Sequence, residues 1–443
     1  MSGADALGMS GDAAPGMSGD AALDMRGGAA LNMSGDAALG MSGAAAPRAC
    51  LRQAGAEALG HALQASRRDT LTTFKVFESA LAAQGFVVPQ HGELNPPLWE
   101  LGHIGWFQSR WIGRNTERLC GAAADPDAPR LPPARAGADA LYDSSRVAQA
   151  TRWSLPLPGA EATRADLAEG LAHSLALLAQ SPHDDSGLYF HRLCLFHEDM
   201  HHEAALYMAQ ALDIDVSDAR WQPRPVSAAR PLAVAGCAWT RGVAAGFAFD
   251  NELGANTVQV APCQIDSQVL RWADYLPFIE AGGYEDDRWW AGPARAWRTA
   301  QEAQAPRYLR RQADGWQQRL WGRWQALNPA LPACHLSRFE AQAWCDWAGR
   351  RLPTEAEWEC AALTLGDAFE WGSVWEWTSS PFLPYPNFVA HPYRDYSAPW
   401  FDGRPVLKGG AFATQPRMKH PRYRNYFLPG RNDIFAGFRT CAR

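Results

Sequence analysis

The stretch FHEDMHHE at residues 196–203 decides how the first half of the chain folds. It lies inside a helical pattern that runs from about Gly187 to Leu212. Side chains four residues apart stack on one face of an α-helix, so His197 and His201 point the same way. Two neutral imidazoles suit iron, copper, nickel or zinc better than magnesium or calcium. An isolated HxxxH pair is more often one core and one surface histidine, so a third ligand is needed to indicate a metal.

A second candidate helix carries that third ligand. The phrase NPPLWELGH at residues 95–103 predicts a helix capped by Asn95, with prolines at its first positions, where a missing N–H costs nothing. His103 lies on this strongly apolar helix, where a lone histidine is usually a core residue. Because the HxxxH pair belongs to the same predicted bundle, a ligand that reaches it from a facing helix is the sharper interpretation.

Two further helices complete the predicted bundle. Residues 56–84 form a first amphipathic helix, which ends at Gly85. Thr163 and Asp166 form a capping-box-like pair that opens the third helix. Four helices of this length favour an up-down bundle.

The remaining sequence divides the chain into three parts. Residues 1–47 repeat an octapeptide resembling MSGDAALG, which has no aromatics, cannot offset its chain entropy by apolar burial, and is expected to be disordered. The helical bundle is placed at 48–218 and a second domain at 219–443, with a Pro-containing linker at 214–230. Short β-like runs rich in Trp and Gly follow the linker, so we expect irregular α+β structure there.

Two short helices are predicted inside the second domain. Ser337 and Glu340 form a capping box at the start of one, and Gly349 ends it. Thr354 and Glu357 form the box that opens the next.

Composition excludes several classes of protein. The chain has 443 residues, 47% of them hydrophobic and 20% charged, with a net charge of -6, and no basic run that would favour nucleic acid. No apolar stretch reaches the ~18 residues of a membrane span, and no secretory signal opens the chain. Nine cysteines, an odd number without a CxxC, fit reduced thiols in a cytoplasm.

Both halves of the chain resemble one enzyme family. His103 followed by HxxxHxE at 197–203 resembles the DinB-type bundle of the sulfoxide synthases of ergothioneine biosynthesis. The second half resembles the formylglycine-generating-enzyme (sulfatase-modifying factor) fold, a C-type-lectin-like domain. The motifs that carry this resemblance are FDNE (249–252), GGY (282–284), GRRLPTEAEWE (349–359), VWEWTSS (374–380), GG (409–410) and RN (424–425). Over residues 57–443 the resemblance implies an α+β fold, a DinB-like four-helix bundle followed by a formylglycine-generating-enzyme-like domain.

The resemblance also implies site residues. The family uses non-haem Fe(II) on three histidines, which by position are His103, His197 and His201. Tyr393 would donate a proton or hydrogen as oxygen is reduced, although without the resemblance it would be interpreted as a packing residue of a lectin-like loop. The positions implied to contact substrate are Met200, Tyr396, Asn425, Tyr426 and Phe427.

Within the family the chain looks most like the selenoneine-forming branch. Three phrases carry this impression, at residues 95–103, 140–147 and 434–441. The implied reaction joins hercynine to a selenosugar such as selenoglucose, with Fe(II) and O2. Mycobacterial relatives that use γ-glutamylcysteine show RNWD near the C-terminus, whereas this chain reads RNYF at 424–427, which removes a carboxylate partner for a substrate ammonium group. Met200 stands where relatives carry Gln, which puts one hercynine contact in doubt.

Three alternatives stay open. The first is an ergothioneine-type sulfoxide synthase that joins hercynine to cysteine or γ-glutamylcysteine. The second is formylglycine generation on a protein substrate, which needs a pair of metal-binding cysteines near the C-terminus. The third is a lectin-like binding module without a metal. The expected partners are small molecules in the cytoplasm, with no nucleic acid and no membrane.

Overall fold

The first half of the described chain is helical. This computed structural model describes residues 50–443, and the repeat at 1–47, expected to be disordered, lies outside that range. The helices are α1 (Ala56–Leu81), α2 (Pro97–Gln108), α3 (Ala138–Tyr142), α4 (Ala160–Leu178) and α5 (Asp185–Ala211). α1 packs against α4 and α5, and α2 packs against the same two helices. The four long helices therefore surround a common interior, and their DinB type stays a prediction.

The start of α2 differs from the prediction. The N-cap residue is Pro96, and no side chain caps the helix. The Asn95 amide instead donates to Glu100 at 2.5 Å, and its carbonyl oxygen accepts from Arg152 at 2.7 Å. The predicted Asn95 cap is wrong because two tertiary partners occupy the side chain.

The predicted capping box of α4 is also wrong. α4 begins at Ala160, so Thr163 lies inside its first turn and donates to the Gly159 carbonyl at 3.0 Å. Asp166 pairs with Arg135 rather than with the helix terminus. By contrast, α1 is followed by a short 3₁₀ turn and by Gly85 at φ +62°, which confirms where the first helix stops.

The strands all follow residue 230 in the described chain. They are β1 (Pro231–Val234), β2 (Cys237–Arg241), β3 (Asn256–Val260), β4 (Cys263–Asp266), β5 (Leu309–Gln312), β6 (Gly315–Leu320), β7 (Arg323–Ala326), β8 (Arg350–Arg351), β9 (Trp375–Pro381), β10 (Pro405–Lys408), β11 (Asn425–Tyr426), β12 (Ala436–Gly437) and β13 (Cys441–Ala442). They form sheets of order β1-β4-β13-β8, β11-β10-β9-β12, β5-β6-β7 and β2-β3. The β9–β12 pair is parallel and the other pairs are antiparallel.

Four helices lie among these strands. They are α6 (Trp272–Glu280), α7 (Pro293–Ala300), α8 (Arg338–Trp347) and α9 (Glu355–Thr364). Both predicted capping boxes are present, at Ser337 before α8 and at Thr354 before α9. This mixed architecture agrees with the expected α+β class. None of the helices in residues 50–443 is long and apolar enough to cross a membrane.

An apolar core continues from the helices into the strand-bearing half. The ring of Phe196 on α5 lies 5.3 Å from Phe247 and 6.3 Å from Phe249. Asp199 on the same helix forms a two-bond ion pair with Arg417. The described residues belong to one compact unit, and the division at 218/219 stays a prediction.

Candidate metal centre

Three histidines converge where α2 meets α5. His197 and His201 lie one turn apart on α5, and their Nε2 atoms are 3.1 Å apart. The His103 ring on α2 lies 5.1 Å from the His197 ring and 4.9 Å from the His201 ring. One ligand nitrogen from each lies within 4.8 Å of the others, and no second group of this kind occurs among residues 50–443. The three predicted ligands are therefore brought together.

The hydrogen bonds of these rings fit a bound cation. Nδ1 of His103 lies 2.8 Å from the Tyr142 carbonyl, which can only accept, so this nitrogen carries the hydrogen. Nδ1 of His201 bonds to the carboxylate of Glu100 in the same sense. The Nε2 atoms of both rings consequently present lone pairs to the same space. Lone pairs that converge in a buried pocket are stabilised by a metal ion, and neutral imidazole suits iron.

Burial keeps the imidazoles of His103 and His197 neutral. Together with the charge of the nearby His201, it lowers the pKa of His103 to about 3. Burial, with the charges of the other two histidines, also lowers the pKa of His197 well below its ordinary value. Neutral rings do not need to lose a proton before they bind a metal.

Aromatic rings fix the orientation of the ligands. Phe107 stacks on His197 with ring centres 3.4 Å apart, and Trp99 stacks on His103 at 4.8 Å. Both aromatic residues belong to α2, so the helix that supplies one ligand also supports a ligand of α5. This explains why the sequence 95–108 is so rich in aromatic residues.

The carboxylate of Glu100 contacts His201 on the side of its ring that faces away from the other two histidines. Burial raises the pKa of Glu100, but the charge and hydrogen bond of His201 outweigh this effect and lower it to about 2. Asn95 bonds to the second oxygen of Glu100, and Arg152 bonds to Asn95. A charged carboxylate on Nδ1 fixes the tautomer of a ligating histidine and makes it more basic. The sequence analysis missed Glu100, although it precedes His103 by three positions and so lies on a neighbouring part of the same helix.

One face of α5 stays partly exposed towards the strand-bearing half. Its half-buried residues are Met200, His201, Glu203, Ala204 and Tyr207, whereas the residues just before Met200 are buried. The Tyr423 hydroxyl donates to the Met200 sulfur at 3.4 Å, and the Trp375 indole donates to Glu203 at 2.6 Å. Met200 therefore lies between the ligand His201 and Tyr423 of the second half, and its contact with substrate stays a prediction.

Tyr393 is the predicted site tyrosine nearest to the ligands. Its ring lies 6.1 Å from the His197 ring and edge-on to Phe107 at 4.9 Å. Burial raises its pKa, so the hydroxyl keeps its proton. Tyr396 lies one step further out, 6.0 Å from Tyr393, and its hydroxyl is 2.9 Å from that of Tyr423.

The strand β11 carries the other predicted contacts. Tyr426 stacks on Phe382 at 3.9 Å, and its hydroxyl donates to the Tyr396 carbonyl. The Asn425 side chain accepts the Tyr426 backbone N–H at 2.9 Å. Phe427 lies under the guanidinium of Arg431, 5.0 Å away. Tyr396 and Tyr426 are thus joined, whereas no hydrogen bond among the described residues links Asn425 or Phe427 to the histidines.

A cavity of about 240 Å³ opens beside Tyr393. Phe107, which stacks on His197, forms part of its wall, and Asp143 and Ser144 supply polar groups. A larger cavity, of about 530 Å³, is lined by Trp289 and Arg338 among others and by none of the predicted site residues. The smaller cavity, which adjoins Tyr393, is therefore the better candidate for a substrate pocket.

Comparisons with known proteins match the second half of the chain to a family and most of the chain to individual relatives. The family of the sulfatase-modifying factor enzyme 1-like domain matches residues 218–373 and 365–443. The hercynine oxygenase of Mycolicibacterium smegmatis is 32% identical over 408 residues, which cover 79% of this chain and 91% of the relative. The hercynine oxygenase of Mycobacterium tuberculosis is 32% identical over 411 residues, with the same shares. The formylglycine-generating enzyme of Streptomyces coelicolor is 30% identical over 177 residues, 34% of this chain and 56% of that enzyme.

The second half of the chain thus carries a sulfatase-modifying factor enzyme 1-like domain. The full-length relatives are more specific, because they span the helical half as well. The chain belongs to the hercynine oxygenase family. The predicted enzyme class, an oxygen-dependent non-haem iron oxidoreductase, is confirmed.

Proposed function

We propose that this enzyme joins hercynine to a selenosugar such as selenoglucose, with Fe(II) held by His103, His197 and His201. The observation that carries the metal assignment is the convergence of ring nitrogens from two buried histidines and the half-buried His201 within 4.8 Å. Iron in this site would supply the electrons that activate O2 and would stabilise a bound selenolate or thiolate. Its oxidation state and the selenium donor are parts of the proposal.

The proposed reaction balances with O2 as the oxidant. A bond forms between selenium and the imidazole carbon of hercynine, and the C–H and Se–H bonds break. Their two hydrogens leave with one oxygen atom as water, and the second oxygen atom ends on selenium. O2 takes up four electrons, two from bond formation and two from oxidation of selenium.

Residues of the second half would bind hercynine beside the centre. The rings of Tyr396 and Tyr426, 6.1 Å apart, offer aromatic faces to a trimethylammonium group. Tyr393 would hold a proton at its hydroxyl next to His197 and release it as oxygen is reduced. The hydroxyl and carboxylate groups of Ser144 and Asp143 in the adjoining cavity suit the hydroxyls of a sugar.

The choice of a sugar donor is supported by the surroundings of Phe427. A donor with an ammonium group would need a carboxylate partner. The nearby carboxylates of Asp433 and Glu93 are both paired with Arg431. A neutral sugar selenol needs no such partner.

The alternative is a sulfoxide synthase that uses cysteine or γ-glutamylcysteine, and the relatedness to mycobacterial hercynine oxygenases favours it. The deciding experiment loads the enzyme anaerobically with Fe(II) and hercynine and adds selenoglucose, cysteine or γ-glutamylcysteine. A pulse of O2 follows, and mass spectrometry reads the product. We expect the adduct of hercynine and selenoglucose to form fastest; faster turnover of either amino thiol would establish the alternative.

A further inference from the structure

The motif FDNE at 249–252 has no part in the function proposed so far. Its last three residues form one buried 3₁₀ turn that precedes β3. The side chain of Glu252 bonds to Arg52, which lies just ahead of α1. The other three side chains are directed elsewhere, towards the segment that carries the site tyrosines.

Asp250 is the residue of this motif with the most unusual contacts. Its carboxylate is 2% exposed. One oxygen accepts the backbone N–H of His391 at 3.3 Å, and the other accepts the hydroxyl of Ser397. A hydrogen bond from a hydroxyl or a backbone N–H to a charged carboxylate is stronger than one between neutral groups.

These two donors are the ends of the segment 391–397. One carboxylate therefore closes this seven-residue segment, which contains both Tyr393 and Tyr396. The neighbours of Asp250 reinforce the closure: the Asn251 amide donates to Ser397 at 2.9 Å, and Phe249 stacks on Tyr396 at 4.2 Å.

The segment has little regular structure of its own, and side-chain contacts supply its remaining ties. They join Tyr189 to His391 at 2.8 Å, Arg394 to Asp127 at 2.6 Å, and Tyr426 to the Tyr396 carbonyl. Arg394 and Asp395 at its middle are exposed, and its only regular structure is a single 3₁₀ turn at Arg394–Tyr396. Surface segments without ladder hydrogen bonds open easily unless they are tied at their ends. The ties of Asp250 at 391 and 397 flank Tyr393 on both sides, so the position of its ring, 6.1 Å from the His197 ring, depends on them in addition to these side-chain contacts.

We propose that Asp250 is a positioning residue that fixes both ends of the segment 391–397 and so holds Tyr393 against the histidine centre. The proposal rests on the proposed function, because that function gives Tyr393 its part in proton delivery. The His391 N–H and the Ser397 hydroxyl bond to different oxygens of Asp250, and in an asparagine of the same shape one of these positions becomes an NH2 group, which cannot accept a hydrogen bond.

The test uses the iron-loaded full chain with Asp250→Asn. Amide hydrogen exchange should rise about tenfold in residues 391–397 and stay unchanged around His197. The kcat for hercynine with selenoglucose should fall about tenfold, and the KM for hercynine should rise as well, because Tyr396 lies in the same segment. Ser397→Ala keeps the bond from His391 but removes those of Ser397 with Asp250 and Asn251, and it should change exchange and turnover in the same direction, which keeps the test available if Asp250→Asn folds poorly.

Glu340 offers a matched control. Its buried carboxylate also accepts one hydroxyl, from Tyr284 at 2.6 Å, and one backbone N–H, from Ser337 at 2.7 Å. Glu340→Gln should lower the stability of the fold, because it also disrupts hydrogen bonds to a buried carboxylate. It should leave both the hydrogen exchange of residues 391–397 and the turnover unchanged. An equal loss of turnover in this control would overturn the proposal.

A double variant separates the positioning role of Asp250 from the proton-delivery role of Tyr393. In a Tyr393→Phe background, Asp250→Asn should lower turnover by less than about threefold, because the hydroxyl that it positions is already absent. Loss of activity in Tyr393→Phe, together with unchanged exchange and turnover in Asp250→Asn, would overturn only the positioning role of Asp250. Full activity in Tyr393→Phe would instead overturn the part of Tyr393 in the proposed function.

Discussion

The ligand side and the tyrosine side of the centre are built in different ways. His103 and His197 are each 2% exposed, and stacked rings from α2 hold them. Tyr393 and Tyr396 are half-buried on a surface segment whose ends are tied to Asp250. Packing and hydrogen bonds within the helical half hold the metal ligands, whereas the tyrosines that would handle substrate and proton, although they pack on Phe107 and Phe249, belong to a segment whose ends depend on hydrogen bonds.

The largest effect is expected from loss of a ligand. His197→Ala should abolish iron binding and lower turnover by more than about 1000-fold, because the metal supplies the redox chemistry. Iron content after anaerobic reconstitution and O2-dependent turnover measure this. His202→Gln is the matched control, since His202 is buried on the same helix but bonds to Thr73 at 2.9 Å. Near-normal iron content in His197→Ala would contradict the assignment of the centre.

A substitution on the tyrosine side should lower the rate of turnover without lowering the iron content. Tyr393→Phe should lower kcat by about 100-fold, a common effect of losing a general acid, while iron content and the KM for hercynine stay unchanged. Tyr308→Phe is the control, because the buried Tyr308 hydroxyl has no hydrogen-bond partner in the described part of the chain. If Tyr393→Phe lost iron as well, the contrast between the two sides would disappear.

Removing the Glu100 carboxylate should sharpen the contrast between the ligand side and the tyrosine side, because it should affect metal binding. Glu100→Gln leaves His201 without a charged partner and should weaken Fe(II) binding by about 30-fold, as expected for a group that supports a ligating histidine. Anaerobic titration with Fe(II) or Co(II) measures the affinity. Asp139→Asn, which alters a carboxylate bonded to Arg114 instead of an imidazole, should leave it unchanged. Unaltered affinity in Glu100→Gln would show that packing alone orients His201.

The smallest effect concerns the choice of donor. Phe427→Asp restores a carboxylate at the position where mycobacterial relatives were expected to carry one, and it should shift the ratio of γ-glutamylcysteine to selenoglucose turnover about tenfold towards the amino thiol. Competition between the two donors, read by mass spectrometry, measures the ratio. Phe427→Leu keeps the position apolar and should preserve the selenium preference. A ratio that does not change would remove residue 427 from donor selection.

The ligand side could be predicted from sequence because its information is local. The spacing of His197 and His201 fixes their common face through the helical repeat. The capping boxes at Ser337 and Thr354 are equally local, and the structure contains both. Placing His103 needed only the expectation that helices of one bundle face each other.

The tyrosine side could not be predicted in the same way. Tyr423 contacts Met200 across 223 positions of sequence, and no short motif reports a contact of that range. Asn95 failed as a helix cap for a related reason, since tertiary partners took its side chain. The motif FDNE at 249–252 was recognised as a family feature, but only the structure shows what Asp250 binds.

The continuous core of Phe196, Phe247 and Phe249 has a consequence for how the molecule comes apart. Neither half can lose its packing without exposing apolar rings of the other, so both halves should melt in a single cooperative transition. The Asp199–Arg417 pair adds a polar link at the same junction. Calorimetry should accordingly show one heat-absorption peak, and a bound metal should raise the temperature of that peak as a whole.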